Sequence, residues 1–313
     1  MTRPAAAASP AKARNAMRLL LLGGTGQVGR EFQSLTFPKG TDVVAPTRAD
    51  HDLTDPATIT KLIAAAPWDA VINAAGYTNV DRAESDQATA FAVNAEAPAH
   101  LAAETERHAI PLIHISTDYV FDGKKNAPYV ETDAPAPLNV YGASKLAGEG
   151  AVAAGNSRHV ILRTAWVYSP HGQNFVKTIL RLAAERDRLT IVDDQRGCPT
   201  AGRDIAAACR DIALRCIREP QKAPNGLYHF TGAGAATWCE FARAIVEMAG
   251  PRLARAPQIV PIRTIDYPTP AVRPADTRLD CAAIGRAFGI EQRPWRDGLQ
   301  ETMAKLLKNG SAA

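Results

Sequence analysis

MRLLLLGG (17–24) is a short, unbroken apolar run that ends at two glycines. A strand with one wet face would alternate apolar and polar side chains, so an uninterrupted run fits a strand covered on both faces of a parallel sheet. Similar runs return as DVVAP (42–46), DAVINAA (69–75), PLIHIST (111–117) and HVILRTAWVY (159–168). Between them apolar positions recur at helical spacing over 29–35, 56–66, 87–107 and 140–154. Strands alternating with helices predict an α/β fold with a doubly wound parallel sheet. Past 168 the rhythm loosens into helices near 174–186, 203–218 and 237–249, the segment IVDDQRGCPT (191–200), the strand GLYHF (226–230) and a Pro-rich stretch, 257–274.

Composition narrows the class. The 313 residues, 46% hydrophobic, suffice for one large core or two domains that share a cleft. A formal charge of +4 without a Lys/Arg block indicates no nucleic-acid stripe, while leaving attraction to an anionic small molecule open. The five cysteines (Cys198, Cys209, Cys216, Cys239, Cys281) form no CxxC pair, and their odd number argues for reduced thiols in a cytoplasm. The seven histidines show no metal-ligand spacing, so no metal is expected from them. No apolar run reaches the roughly 18 residues of a membrane span, and 19–22 is too short for a signal sequence. Residues 1–16, rich in Ala and Pro, are expected to form a flexible tail.

Chemistry first appears at GGTGQVG, between the first strand and a helix. Its glycines fit both G-x-x-G-x-x-G (Gly23, Gly26, Gly29) and G-x-G-x-x-G (Gly24, Gly26, Gly29). A tight turn, close backbone approach to a pyrophosphate and helix packing on the strand all exclude a Cβ, which favours a dinucleotide site over a plain turn. The reading is therefore a Rossmann-type doubly wound parallel sheet with a smaller interleaved C-terminal substrate domain. The dinucleotide-binding domain is placed at 17–168, with later sheet elements from about 203–230, and the substrate-binding domain at 169–202 and 231–313. The second strand runs into Pro46, Thr47 and Arg48, and acids come only later, at Asp50 and Asp52. A hydroxyl and a guanidinium at that tip suit a 2′-phosphate, so NADPH is expected, with NADH as an alternative cofactor.

Two further strand ends carry polar residues where an open α/β sheet places its ligands: NAAGYTNVD (73–81) and ISTDYVFDG (115–123). Small Ala74, Ala75 and Gly76 let a cofactor lie against backbone. Ser116, Thr117 and Asp118 fit either a turn cap or a reacting end. In LNVYGASKLAGE (138–149), Tyr141 and Lys145 are four residues apart and share a helix face. The spacing fits an ordinary amphipathic helix; it also puts an ammonium where it favours the ionised phenol. Hydroxyl, Tyr and Lys together form an acid/base constellation beside a nicotinamide.

GGTGQVG, NAAGYTNVDRAE, STDYVFDG, LNVYGASKLAGE, RTAWVY, DDQRGCPT, GLYHFTG and YPTPAVRPADTRLD occur in this order. In them the chain resembles the extended short-chain dehydrogenases/reductases and, within them, the dTDP-4-dehydrorhamnose reductase family, from about Met17 to the C-terminal helix. The resemblance implies NADPH-dependent reduction of dTDP-4-dehydro-L-rhamnose at C4. It implies that Tyr141 gives a proton to the C4 oxygen, that Lys145 lowers the pKa of Tyr141 and holds the nicotinamide ribose, and that Thr117 stands for the usual catalytic Ser. Asp118 and Trp166 match substrate-contacting positions; Gly26, Gln27, Val28, Asp52, Leu53, Gly76, Tyr77 and Thr78 match cofactor positions. Some members bind Mg2+ through glutamates at a subunit contact. Glu31 matches one of these, but Arg203 and Arg296 stand at the other two, and arginine cannot ligate a hard cation. No metal is therefore expected, and a homodimer is left open. Alternatives within the superfamily are a 4-epimerase and a 4,6-dehydratase, although Thr117-Asp118-Tyr119 offers a dehydratase only one acid. A non-catalytic alternative is a regulatory subunit like that of methionine adenosyltransferase. Expected partners are a nucleotide-sugar substrate, with no nucleic acid and no membrane.

Overall fold

A computed structural model describes residues 17–253 and 256–308, and the tail expected at 1–16 lies outside them. From the N-terminal side the chain forms β1 (Met17–Leu22), α1 (Gln27–Gln33), β2 (Thr41–Val44), α2 (Pro56–Ala64) and β3 (Ala70–Asn73). A helical stretch follows: α3 (Val80–Ala83), α4 (Gln87–Phe91), a π-helical turn (Ala92–Glu96) and α5 (Ala97–Arg107). β4 (Leu112–Thr117), α6 (Val140–Gly155) and β5 (His159–Thr164) continue the alternation. Next come β6 (Val167–Tyr168), α7 (Phe175–Glu185), β7 (Arg188–Val192), β8 (Arg196–Gly197), β9 (Thr200–Ala201) and α8 (Gly202–Arg218). β10 (Gly226–His229), β11 (Ala236–Thr237), α9 (Trp238–Ala249), β12 (Gln258–Ile262), α10 (Ala282–Phe288) and α11 (Trp295–Lys308) complete the chain.

Six strands form one parallel sheet in the order β10-β5-β4-β3-β1-β2. Alternate residues of its strands enter different cores. Leu19, Leu21, Ile113 and Leu162 pack with Ile205, Cys209 and Ile212 of α8. Leu20, Leu22, Val71 and Ile161 pack with Ile59 and Ile63 of α2 and Leu101 of α5. This double coverage is why the strands read as unbroken apolar runs. A further cluster joins Val176 and Ile179 of α7, Phe241 and Ile245 of α9, and Leu299 and Met303 of α11.

One expectation needs correction, and two others gain detail. The run 159–168 is not one strand: Trp166 has φ +46°, which swings the chain away after β5, and β6 pairs with β9 outside the main sheet. The helix expected at 87–107 is interrupted by the π-helical turn. The Pro-rich stretch contains β12, paired in parallel with β7 in a two-stranded ribbon, whose edges tolerate Pro261.

The π-helical turn positions α6. Asn94, buried in that turn, accepts from the Tyr77 amide at 2.8 Å and donates to the Tyr77 carbonyl at 3.0 Å and to Ser144 Oγ of α6 at 3.0 Å. A Cβ on Gly148 would lie 2.0 Å from the Asn94 carbonyl oxygen. In an ordinary helix interior Gly→Ala gains about 1 kcal/mol. Here the sign reverses: Gly148→Ala is expected to lower stability by at least about 2 kcal/mol through overpacking against backbone, as read from a denaturant midpoint.

Candidate active site

The site begins where β1, β2 and β3 end. A cavity of about 220 Å³ is lined by Gly23, Gly24, Thr25 and Gly26, by Pro46, Thr47, Arg48, His51, Asp52 and Leu53, and by Ala74, Ala75 and Gly76. At Gly23, φ is +78° and a Cβ would meet the Ala75 amide nitrogen at 2.5 Å; a Cβ on Gly29 would meet the Gly23 oxygen at 2.2 Å. The loop is thus a bare backbone cradle, of the kind that receives a pyrophosphate. Thr47 donates its hydroxyl to Asp50 at 2.6 Å, and Asp52 accepts from the amide and hydroxyl of Thr54, which lower its pKa.

The side chains of other residues expected at the cofactor make contacts of their own. Val28 packs against the α8-side core. Gln27 accepts at its side-chain oxygen from Asn174 at 2.9 Å, tying the glycine loop to the start of α7. The Tyr77 hydroxyl donates to Asp86 at 3.1 Å, and Thr78 beside it is exposed. His51, absent from the sequence reading, lines the cavity and has a buried Nδ1 without a partner.

Thr117 is the last residue of β4. Its Oγ1 accepts from the Tyr119 amide at 3.2 Å and donates to Asp118 at 3.1 Å. Asn139, just before α6, accepts at its side chain from the Gly142 amide at 2.8 Å and so caps the helix. This places Tyr141 in the first turn and Lys145 one turn on. Lys145 Nζ donates to the Ile115 carbonyl at 2.7 Å. Burial pushes the Tyr141 phenol up to about 12, opposed by a hydrogen bond from Thr117 and reinforced by the charge of Asp118. Burial also pushes Lys145 down to about 8, opposed by Glu149. The Lys145 ammonium is held by the Ile115 carbonyl, and desolvation is the largest influence at Tyr141. At neutral pH the phenol keeps its proton and the amine its charge.

Asp118 is buried, and burial raises its pKa to about 7 against the hydrogen bonds of Thr277 and Thr117. The Thr277 hydroxyl reaches it at 2.5 Å from 159 residues away in sequence. No local spacing announces Thr277. Trp166, half-buried, stacks on Trp238 with ring centroids 3.5 Å apart and planes at 3°. Gly197 leaves its indole room, since a Cβ there would come within 2.4 Å.

Of the three positions compared with metal-binding glutamates, only two meet. Glu31, buried, lies 3.7 Å from Arg203 and 3.8 Å from Lys305. Arg296 lies 3.6 Å from Glu247. No group of three or more His, Cys, Asp or Glu side chains that could hold a metal occurs among the described residues.

A glycine cradle on a Rossmann-type parallel sheet, with a strand-end Thr facing a Tyr-x-x-x-Lys helix, defines an extended short-chain dehydrogenase/reductase. The profile of the RmlD substrate binding domain family matches residues 17–308, and the chain belongs to that family. It is 41% identical to the dTDP-4-dehydrorhamnose reductase of Sinorhizobium fredii, over 95% of this chain and 100% of that one. It is 39% identical to that of Escherichia coli K12, over 93% and 98%. The crystal structure of dTDP-4-dehydrorhamnose reductase from Bacillus anthracis in complex with NADP superposes with a TM-score of 0.85 at 31% identity, covering 93% of this chain and 99% of that one. The Clostridium acetobutylicum structure gives 0.86 at 35%, covering 93% and 100%. A dTDP-glucose 4,6-dehydratase from Streptomyces venezuelae, at 19% identity and a TM-score of 0.75, shares the fold. Among the described residues no helix is long and apolar enough to cross a membrane.

Because Glu31 is held between two cations, exhaustive EDTA treatment is expected to leave turnover and oligomeric state unchanged. NADPH oxidation and light scattering check this, and loss of activity restored by Mg2+ would show other carboxylates at work.

Proposed function

We infer that the chain catalyses NADPH-dependent reduction of the C4 ketone of dTDP-4-dehydro-L-rhamnose to dTDP-L-rhamnose, the last step of dTDP-L-rhamnose synthesis. The observation that carries this reading is the convergence of Thr117, Tyr141 and Lys145 at the end of β4, in the same parallel sheet whose β1 leads into the glycine cradle. The relatives' names, and the NADP in the Bacillus anthracis structure, support the substrate and cofactor.

The bound nicotinamide supplies the hydride. Gly23, Gly26 and Gly29 would receive the pyrophosphate on bare backbone. Thr47 and Arg48 line the cavity and would meet a 2′-phosphate with a hydroxyl and a guanidinium. Ala74, Ala75 and Gly76 bring backbone close to the cofactor. Thr117 hydrogen-bonds the C4 oxygen as negative charge develops there, and Tyr141 gives that oxygen its proton. A phenol pushed up to about 12 remains a donor throughout the neutral range. Lys145 stabilises the phenolate left behind and holds the nicotinamide ribose. Trp166 forms a wall of the sugar site. We place the reaction in the cytoplasm with a nucleotide-sugar substrate, consistent with five buried, unpaired thiols.

The direct test follows NADPH absorbance with dTDP-4-dehydro-L-rhamnose and identifies the product by NMR. Stoichiometric NADPH oxidation with reduction of the ketone to an alcohol is expected; conversion without net NADPH loss would point to an epimerase. In Tyr141→Phe, kcat is expected to fall by about a hundred- to ten-thousandfold with cofactor affinity nearly unchanged.

Lys145 also gives the reaction a pH dependence. Lys145 is cationic below its pKa of about 8 and neutral above it. Accordingly, kcat/KM should decline as pH rises through about 8, and Lys145→Met should lack that limb. A limb that survives in Lys145→Met would remove Lys145 from the reading.

A further inference from the structure

Directly behind the reacting groups lies a buried ion pair that none of the steps above uses. Glu149 and Arg163 are 5% and 3% exposed. The guanidinium grips the carboxylate with both arms, Nε to Oε1 at 2.9 Å and Nη2 to Oε2 at 2.6 Å. Ser116 Oγ donates to the same Oε1 at 2.5 Å. Ser116 and Arg163 are register partners on β4 and β5. Ser116 also stands between Ile115, whose carbonyl holds Lys145, and Thr117. Tyr141, Lys145 and Glu149 follow one another at four-residue intervals, so they share one face of α6. One carboxylate therefore joins that face to two adjacent strands just below the reacting layer.

Stability is a poor reason for such a pair. Two desolvated ions repay their burial only when geometry and hydrogen bonding are complete, and a well-packed apolar pair often serves as well. Here Arg163 keeps one buried nitrogen, Nη1, without a partner. What an apolar pair would lack is charge beside Lys145.

We propose that Glu149 is a positioning residue for the reduction inferred above: fastened by Arg163 and Ser116, it aims Lys145 at the end of β4 and keeps the ammonium charged. The inference rests on the role given to Lys145. The other groups on the elements around Lys145 are His114 on β4, Arg163 on β5, His229 on β10, Asp118 and Tyr119 after β4, and Tyr141 on α6 itself. Burial holds both histidines neutral, His229 at about 4 and His114 well below its ordinary range. It also keeps both phenols protonated. Among these groups Glu149 supplies the anion that opposes desolvation at Lys145. Without it the desolvation penalty acts alone, the ammonium loses its proton at lower pH, and activity disappears earlier as pH rises.

The test compares kcat/KM against pH for the wild type, Glu149→Gln, Glu149→Gln combined with Arg163→Gln, and Glu149→Asp, with Lys145→Met in parallel. The double variant is included because it leaves no buried ion unpaired and so tolerates folding. In Glu149→Gln the alkaline limb should move down by about one pH unit, and by less in the double variant, which also loses the Arg163 cation; a limb at about 7 leaves about half of Lys145 charged, so kcat/KM at pH 7 should fall about twofold. Glu149→Asp keeps the charge but shortens the reach, so its limb should stay near the wild-type position while kcat falls. An unmoved limb in a folded Glu149→Gln protein, with only thermal stability reduced, would overturn the proposal. So would a limb displaced equally in Glu149→Asp. If Lys145→Met itself retains the wild-type limb, the assignment of Lys145 fails instead, a separate result.

Discussion

The height of α6 against the end of β4 is the constraint on which the site depends. It is set at two neighbouring residues of one helix. Gly148 lets the helix backbone come within van der Waals reach of the Asn94 carbonyl in the π-helical turn, and Glu149 hooks onto Ser116 and Arg163 in the sheet. Since Tyr141 and Lys145 lie on the same helix, any change in its rotation moves both relative to Thr117. Asn94 extends the same fixation to the cofactor side through the backbone of Tyr77. Interiors pack too tightly to absorb such a shift elsewhere.

Desolvation governs the chemistry of this region more than the pairing of charges does. It raises Tyr141 and Asp118 and lowers Lys145 and His114, in each case towards the neutral form. Against that background a single hydrogen bond or anion decides which group stays charged at neutral pH. The Thr117 hydroxyl and the Glu149 carboxylate oppose desolvation at Tyr141 and Lys145, while the charge of Asp118 adds to it at Tyr141. The site is dry enough for small polar differences to count heavily.

Much of this was legible in the sequence because the relevant physics is local. A strand buried on both faces must be apolar without interruption, so β1, β3, β4 and β5 stood out. A backbone cradle must be glycine, and a helix face repeats at three or four residues, so GGTGQVG and Tyr141-Lys145 were readable with their context. What stayed hidden depends on distant parts or on backbone geometry. The left-handed conformation of Trp166 has no residue-level signature, and it divided a run that looked continuous. Thr277 meets Asp118 only through tertiary packing. The side-chain direction of Gln27, turned to Asn174, and the pairing of Arg296 with Glu247 likewise follow from packing alone. Glu149 was the nearest miss, since its four-residue spacing after Lys145 was visible, but its partners on β4 and β5 were not.

The bond from Thr277 to Asp118 also orders events during synthesis. A ribosome that has released β1 to β5 has delivered Thr117, Tyr141 and Lys145, yet the sheet still lacks β10 and Asp118 still lacks its second hydroxyl. A carboxyl buried in a half-finished core, with one fewer donor, pays more for its charge than the finished protein requires. The last eighth of the chain therefore does more than cap the molecule: it completes a polar centre laid down about 160 residues earlier. An unfinished chain, or one cut before Thr277, carries the whole Tyr-Lys helix and still lacks the surroundings in which those groups acquire their proton affinities.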